Sequence, residues 1–399
     1  MQFSQAVCIM QNQVAVMKRV QVIYNENDPL ASDLVLSLTM DGIRLLFDSV
    51  TQRLRVIEIF KMNLIKLKYC GLVFNSSDVL PTIDQIDHSF GATHPGIYDS
   101  DLRIFTLNFR GLSFTFPVEQ ASEPKYTNKG LGSLQFSNGA SPVASKMFIF
   151  NGNSLNESKP PALPISCFFS HPYLQWLEVI RRKGCTSGVR LSIICEGSQV
   201  SQLEPRRHTT LAELHFGSTA EDVLSLLGSP SRVFYKDEDK MRIHSPNAHR
   251  REPAPFSDYF YNYFTLGLDA LFDGKYHRLK KLVLHTNYPG HYNFNMYHRC
   301  EFKLQLPAKT ISSDPTKLVD LSPTLITVTP YSRWAEVSEK VQPSSRPIVL
   351  HRSSSTNTTN PFGSTFCYGI DGNYIFEVMP NDFIASVTLY ASDENANGL

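Results

Sequence analysis

The sequence predicts an α+β fold in which four divergent units, each a short helix followed by an antiparallel hairpin, form curved sheets backed by the helices. Three observations predict it. A glycine-to-phenylalanine motif recurs along the chain, a short capped segment of helical period lies upstream of each copy, and a β-branched or aromatic run follows each such segment. The aromatic share of 11% agrees, because rings pack well on pleated surfaces.

The motif is clearest in two places. Gly42 leads to Phe47 and then to Leu54, Ile57 and Ile59; Gly267 leads to Phe272 and then, at the same offsets, to Leu279, Leu282 and Leu284. Gly111 and Phe116 repeat the first half, and a looser copy runs from Gly372 through Phe376 and Glu377 to Ile384, Val387 and Leu389. Each reads as two strands with period-2 alternation around a polar turn.

Taken in order, the first helix covers residues 3–16, with Phe3, Val7, Met10 and Val14 on one face, and an apolar run covers 20–24. A strand over 68–74 precedes a second helix over 82–90, closed by Gly91 and followed by a weaker run at Ile97 and Tyr98. Residues 119–145, rich in Gly, Ser and Pro, read as a long loop. An inserted hairpin pairs 174–181 with 189–195. After a strand over 211–216, Ser218 or Thr219 caps a third helix carrying Glu221 and Asp222 in its first turn and ended by Gly228 and Pro230. Its apolar run is 233–235. A polar insertion occupies 307–323, a strand 325–328, a fourth helix 332–341 and a final run 348–350, and the Ser/Thr/Asn stretch 353–360 is a loop. The expected divisions are 1–160 for the first two units, 161–207 for the inserted hairpin and connector, and 208–399 for the last two. Units two to four have a strand before the helix and the first does not. A form with an additional N-terminal strand is therefore expected, which would make this chain an alternative isoform or an incomplete gene product.

Composition narrows the function. Lys and Arg number 38 against 37 Asp and Glu, without the basic excess a duplex nucleic-acid binder uses to displace counterions, so no nucleic-acid partner is expected. No apolar run reaches the length of a membrane span, and seven scattered cysteines form no C-x-x-C pair. A cytoplasmic protein with reduced thiols is the expectation.

The chemistry-bearing runs are few. His285, His291, His298 and Cys300 lie within sixteen residues. Imidazole and thiolate are zinc donors, so a metal-dependent enzyme centred on the three histidines is one alternative. No strand or helix period places them on one face, however, and no acidic partner lies inside the run. A turn followed by a strand, with histidines satisfying backbone groups, is the plainer expectation. Cys300 or Cys367 as a nucleophile lacks a glycine-rich elbow or a helix start to lower its pKa. G-x-S-x-G, G-x-G-x-x-G, the phosphate loop and H-E-x-x-H are absent. No catalytic residue, cofactor or metal is assigned. Basic turns at Arg206 and Arg207, at Arg250 and Arg251, and at Lys280 and Lys281 could meet lipid phosphates, so a phosphoinositide-binding module is a second alternative. Exposed candidates for a protein contact are Tyr288, Tyr292, Arg352 and Phe362. The segments Lys240–Pro246 and His351–Ser355 end extended basic runs in serine, which fits either a strand and turn or a recognition loop switched by phosphorylation.

Several longer runs resemble a known family: Leu67-Lys68-Tyr69-Cys70-Gly71, the turn from Phe90 to Gly96, Asn108 to Phe114, His285 to Phe302, Val349 to Ser355, and Asn360 to Phe366. Together they resemble the phagosome assembly factor 1 family over nearly the whole chain. The likeness weakens in 160–207 and 307–323, and the family's usual N-terminal extension is not present. The resemblance implies a non-enzymatic adaptor that regulates autophagy. It further implies action with a WD40-propeller partner and, through it, recruitment to phosphoinositide-marked membrane where autophagosomes form. It supplies no catalytic residues.

Overall fold

In a computed structural model of the chain, the described residues are 1–17, 19–91, 96–118, 124–126, 134–136, 141–164, 167, 172–182, 184–197, 206–236, 256–308, 325–343, 345–351 and 363–391. The predicted phosphorylation-prone segments, most of the polar insertion and the Ser/Thr/Asn stretch lie largely outside them. The chain divides into two compact units, Met1–Leu163 and Pro164–Leu399.

In the first unit, α1 (Phe3–Gln11) precedes β1 (Val20–Ile23), β2 (Leu34–Leu38), β3 (Ile43–Phe47) and β4 (Leu54–Ile59). A small hairpin, β5 (Leu67–Tyr69) and β6 (Leu72–Asn75), leads into α2 (Ile83–Phe90), then β7 (Ile97–Asp99), β8 (Ile104–Phe109) and β9 (Leu112–Pro117). A separate pair, β10 (Pro124–Tyr126) and β11 (Leu134–Phe136), comes before β12 (Lys146–Phe150). Eight of these strands make one antiparallel sheet in the order β1-β2-β3-β4-β12-β9-β8-β7. One face of it buries Phe105, Leu107, Phe114, Phe116, Ile59 and Met147 against Ile83 and Ile86 of α2. Phe3 of α1 meets Phe47 edge-to-face at 5.1 Å.

The second unit opens with β13 (Tyr173–Arg182), β14 (Cys185–Gly197) and β15 (Arg206–His215). Then come α3 (Ala220–Leu227), β16 (Arg232–Tyr235), β17 (Tyr259–Tyr263), β18 (Leu268–Phe272), β19 (Leu279–His285), β20 (Phe302–Pro307) and β21 (Leu325–Val328). It ends with α4 (Trp334–Val341), β22 (Ile348–Leu350), β23 (Thr365–Ile370), β24 (Tyr374–Val378) and β25 (Ile384–Tyr390). Its eight-stranded sheet runs β16-β17-β18-β19-β25-β24-β23-β22, and a five-stranded sheet runs β15-β14-β13-β20-β21. One continuous core joins Leu177, Leu191 and Leu304 of the smaller sheet, Val223 and Trp334 of the helices, and Leu282, Phe376 and Val387 of the larger sheet. The predicted hairpin of 174–181 with 189–195 is β13 and β14, Leu174 facing Ile193. β13 also pairs parallel with β20 at Leu177 and Phe302, a contact between segments too distant to read from local pattern.

The architecture is α+β, mostly sheet, with four short α-helices among the described residues. The start of every helix is tied to the strand that ends its set. Gln2 bridges Arg53, Thr82 bridges Val143, Thr219 bridges Arg278 and Arg333 bridges Phe383. The turn before the third strand of each set is equally uniform: the amides of Phe60, Phe150, His285 and Tyr390 donate to the carbonyls of Gly42, Gly111, Gly267 and Asn373. Those four residues have φ of +72°, +79°, +71° and +74°, a region glycine enters freely and asparagine tolerates. The fourth position is therefore Asn373 rather than the predicted Gly372.

Other expectations need correction. The single strand over 68–74 is the hairpin β5–β6, because Cys70 and Gly71 both take positive φ (48° and 85°), the geometry of a two-residue turn. The loop over 119–145 contains the β10–β11 pair. α1 ends at Gln11 instead of residue 16, and Val14 is exposed. The fourth helix begins at Trp334 because Ser332 is used in the preceding turn, accepting from the Thr329 amide at 3.0 Å. The Asp382 carboxylate, from the start of the last strand, caps it instead, accepting from the Ala335 amide at 3.0 Å.

Candidate functional site

On the eight-stranded sheet of the second unit, strand register decides which residues share the face away from the core. Asp269 alternates with Leu268 and Ala270, and its neighbours point to the core. Following the pairing outward, Arg232 lies opposite Asn262, Asn262 opposite Asp269, Asp269 opposite Val283, Val283 opposite Thr388, and Thr388 opposite Ile375. A second row runs from His285 through Ser386 and Glu377 to Cys367 and Ile348. Apart from Ile348, these rows floor a groove of about 520 Å³, walled by Phe234, Phe260, Phe264, Tyr292 and Met296 and reaching both edge strands, β16 and, at Leu350, β22. That size is in the range of ligand sites.

Two buried carboxylates organise the floor. Asp269 accepts from Asn262 Nδ2 at 2.8 Å, from the Tyr297 hydroxyl at 2.8 Å and from His285 Nε2 at 2.8 Å. Glu377 accepts from the hydroxyls of Thr365 and Ser386, both at 2.8 Å, and from His291 Nε2 at 3.3 Å. Burial first, and then the Asp269 charge, hold the Tyr297 phenol well above its ordinary range. The Tyr297 ring stacks on His285 with centroids 3.9 Å apart. Each carboxylate is thus satisfied by several donors, the condition for holding such a charge inside a protein.

The segment between His285 and Phe302 crosses this face as a strap. No strand forms in it, contrary to the expected turn and strand. His285, where it begins, and His291 turn to carboxylates 16 and 86 residues away in sequence, partners a local reading could not find. Tyr297 and His291 fasten it to the floor. Tyr288 fastens its start, with its hydroxyl donating to the Pro330 carbonyl at 2.9 Å, while Arg299 lies over the Tyr288 ring and donates to the Thr286 carbonyl.

The predicted contact residues separate accordingly. Tyr288 is fully buried, which corrects its place among the exposed aromatics: its ring packs on Phe383 and its hydroxyl is used internally. Tyr292 is 38% exposed and lines the groove. Arg352 and Phe362 lie outside the described residues, as do Arg250 and Arg251, and the side chains of Arg206 and Arg207 are likewise undescribed. Lys280 is engaged by Asp258 at 3.1 Å and Asp273 at 3.4 Å, and Lys281 reaches over the Tyr390 ring.

The three histidines do not converge. His285 and His291 serve different carboxylates, and His298, whose pKa burial lowers to about 4, lies against the Tyr173 ring. No group of three or more His, Cys, Asp or Glu among the described residues could hold a metal ion. Burial raises the Cys300 thiol well above its ordinary value, the opposite of what a nucleophile needs. Sequence reasoning missed Asp269, Glu377, Asn262 and Tyr297. The available signal was an acid set between apolar strand neighbours, as in Leu268-Asp269-Ala270 and Phe376-Glu377-Val378.

The first unit fills the equivalent face differently. Arg44, two residues after Gly42 as Asp269 is after Gly267, pairs with buried Glu58 at 3.2 Å, and Lys146 joins at 3.3 Å. No helix among the described residues is long and apolar enough to cross a membrane.

Comparison with known proteins places the chain. The sequence model described as phagosome assembly factor 1 matches residues 1–390. A PHAF1 protein of Drosophila melanogaster is 52% identical over 394 residues, covering 98% of this chain and 89% of the relative. PHAF1 proteins of Caenorhabditis elegans, at 33% identity over 98% of this chain and 89% of the relative, and of Arabidopsis thaliana, at 34% over 94% and 85%, extend the match to distant lineages. No solved structure matches. From residue 1 to residue 390, this chain belongs to the phagosome assembly factor 1 family.

Proposed function

We propose that this protein is a non-enzymatic adaptor that regulates autophagy, acting with a WD40-propeller partner at phosphoinositide-marked sites where autophagosomes form. The observation that carries the reading is the family match over residues 1–390, whose description names phagosome assembly and no chemical reaction. The fold supports it: the groove offers a large concave surface whose two buried carboxylates are already engaged by neighbouring side chains. In this reading the chain consists of four divergent copies of one helix-and-sheet unit, as the fourfold helix-to-strand bridge and fourfold glycine-type turn suggest, and such arrays serve as extended binding surfaces.

The membrane is reached through the partner. Lys280, the one lipid candidate whose ion pairs are described, is already held by two carboxylates, so it offers little to a headgroup. Flotation of the purified chain with phosphoinositide vesicles tests this. The chain alone should stay with the protein fractions and float once the propeller partner is added; salt-sensitive flotation of the chain alone would favour direct lipid binding.

A further inference from the structure

We infer that β1, the outer strand of the first unit's sheet, pairs with β1 of a second copy of this chain. The two strands lie antiparallel about a two-fold axis and join the two sheets edge to edge. Self-pairing of this kind goes beyond the adaptor reading and does not depend on it.

β1 lacks the protection that the other edges carry. A sheet edge offers free backbone groups, and proteins guard it with charges, prolines or bulges. At the edges of the two eight-stranded sheets, β7 ends in Asp99, β16 begins at Arg232 and is followed by Lys236, and β22 is preceded directly by Pro347. β1 reads Val20-Gln21-Val22-Ile23, without charge or proline, and all four residues are exposed. No further strand among the described residues pairs with its outer side. The core also runs out uncovered here. Val20 and Val22 lie opposite Leu38 and Leu36, both buried, and directly opposed residues share a face. The two valines therefore carry the core-facing row of β2 into solvent. The turn leading into the strand exposes Val14 and Val16 as well, and apolar surface gathered in this way marks an interaction site.

Charge selects a second copy as the occupant. Arg19 precedes the strand, and Glu26 and Asp28 follow it, so the edge is basic at one end and acidic at the other. An antiparallel neighbour of the same sequence sets the acidic end of each copy beside the basic end of the other, twice over by symmetry. With the axis at Val22, that residue faces its own mate, Gln21 faces Ile23 and Val20 faces Tyr24, so like charges are nowhere opposed within the strand. The same operation at Phe234 of β16 would set Arg232 against Lys236. An interface this small dissociates at about 1–100 μM, and below that range the β1 amides exchange as those of any open edge do. The dimer carries two of every other surface on the chain, and so binds clustered partners with an avidity that the monomer lacks.

Sedimentation velocity of the full chain over about 1–200 μM tests the pairing. The wild type should pass from monomer to dimer as concentration rises, and hydrogen exchange at residues 20–23 should slow in step. Val22→Lys, which puts two ammonium groups at the axis, should weaken association by about tenfold or more, whereas Val349→Lys on the exposed edge β22 should leave it unchanged. Val22→Cys should give a disulfide-linked dimer under mild oxidation, beyond the background from the exposed Cys8 and Cys70, because directly opposed strand residues lie within disulfide reach. This variant adds neither charge nor bulk, so a folding defect does not mimic its result. A chain that stays monomeric throughout, equal weakening by both lysine variants, or a Val22→Cys chain that cross-links no more than the wild type would overturn the assignment. So would exchange at 20–23 that slows only when the purified propeller partner is added, which would give this edge to that protein.

Discussion

At the scale of single residues, the second unit spends its buried polar groups on holding one segment across one sheet face. Tyr297→Phe removes the hydroxyl that donates to both Asp269 oxygens while keeping the ring on His285. It should cost about 1–3 kcal/mol in denaturant unfolding, the range for withdrawing a partner from a buried charge; a change within experimental error would mean that Asp269 is held by Asn262 and His285 alone. Gly267 is constrained twice over. Its φ is +71°, and a Cβ there would strike the His298 carbonyl and the Cys300 amide. Gly228 has φ +79° with nothing within 4 Å. Gly267→Ala should therefore cost clearly more than Gly228→Ala, for which about 1 kcal/mol is expected. His298 supplies a pH signature. Its folded pKa of about 4 is below the ordinary 6.5, so folding prefers the neutral ring. That contribution is complete above pH 6.5 and is lost as pH falls from 6.5 toward 4. His298→Gln should make stability less dependent on pH across that window, and an unchanged slope would refute the assignment.

Among the elements, the helices and their following runs were legible in sequence because their signals are local. Thr219 and Asp222 form a reciprocal capping box, with bonds of 3.1 and 2.9 Å, and the second and third helices end at glycines of positive φ. What was not legible came from partners far along the chain. Asp382 caps a helix 47 residues away, β13 finds β20 in parallel, and Glu377 holds His291. The groove was invisible for the same reason, since its floor exists only once eight strands are in register. The local cap can be weighed directly: Thr219→Ala should cost about 1 kcal/mol. Hydrogen exchange tests the order of the sheet. The central strands β18, β19, β24 and β25 should exchange slowest, and the exposed edge strands β1, β7, β16 and β22 fastest. Edge strands as protected as the centre would contradict this topology.

At the scale of the whole molecule, the two eight-stranded sheets follow one order of strands, yet their outer faces differ in character. The first closes its buried Glu58 with Arg44 and Lys146; the second surrounds its carboxylates with hydroxyls, amide and imidazole, and leaves an open groove. Similar scaffolds carrying different faces fit the binding role proposed for this chain. The absence of a catalytic motif in sequence could be read early. Which surface binds could not, because Tyr288, an aromatic in a polar run, is spent inside the fold. The central claim, that the chain acts as an adaptor for a WD40-propeller protein, is tested most directly by affinity capture of the tagged chain from starved cells. After washing in moderate salt, mass spectrometry should find a WD40-propeller protein as the dominant stoichiometric partner. Recovery of the chain alone would contradict the account.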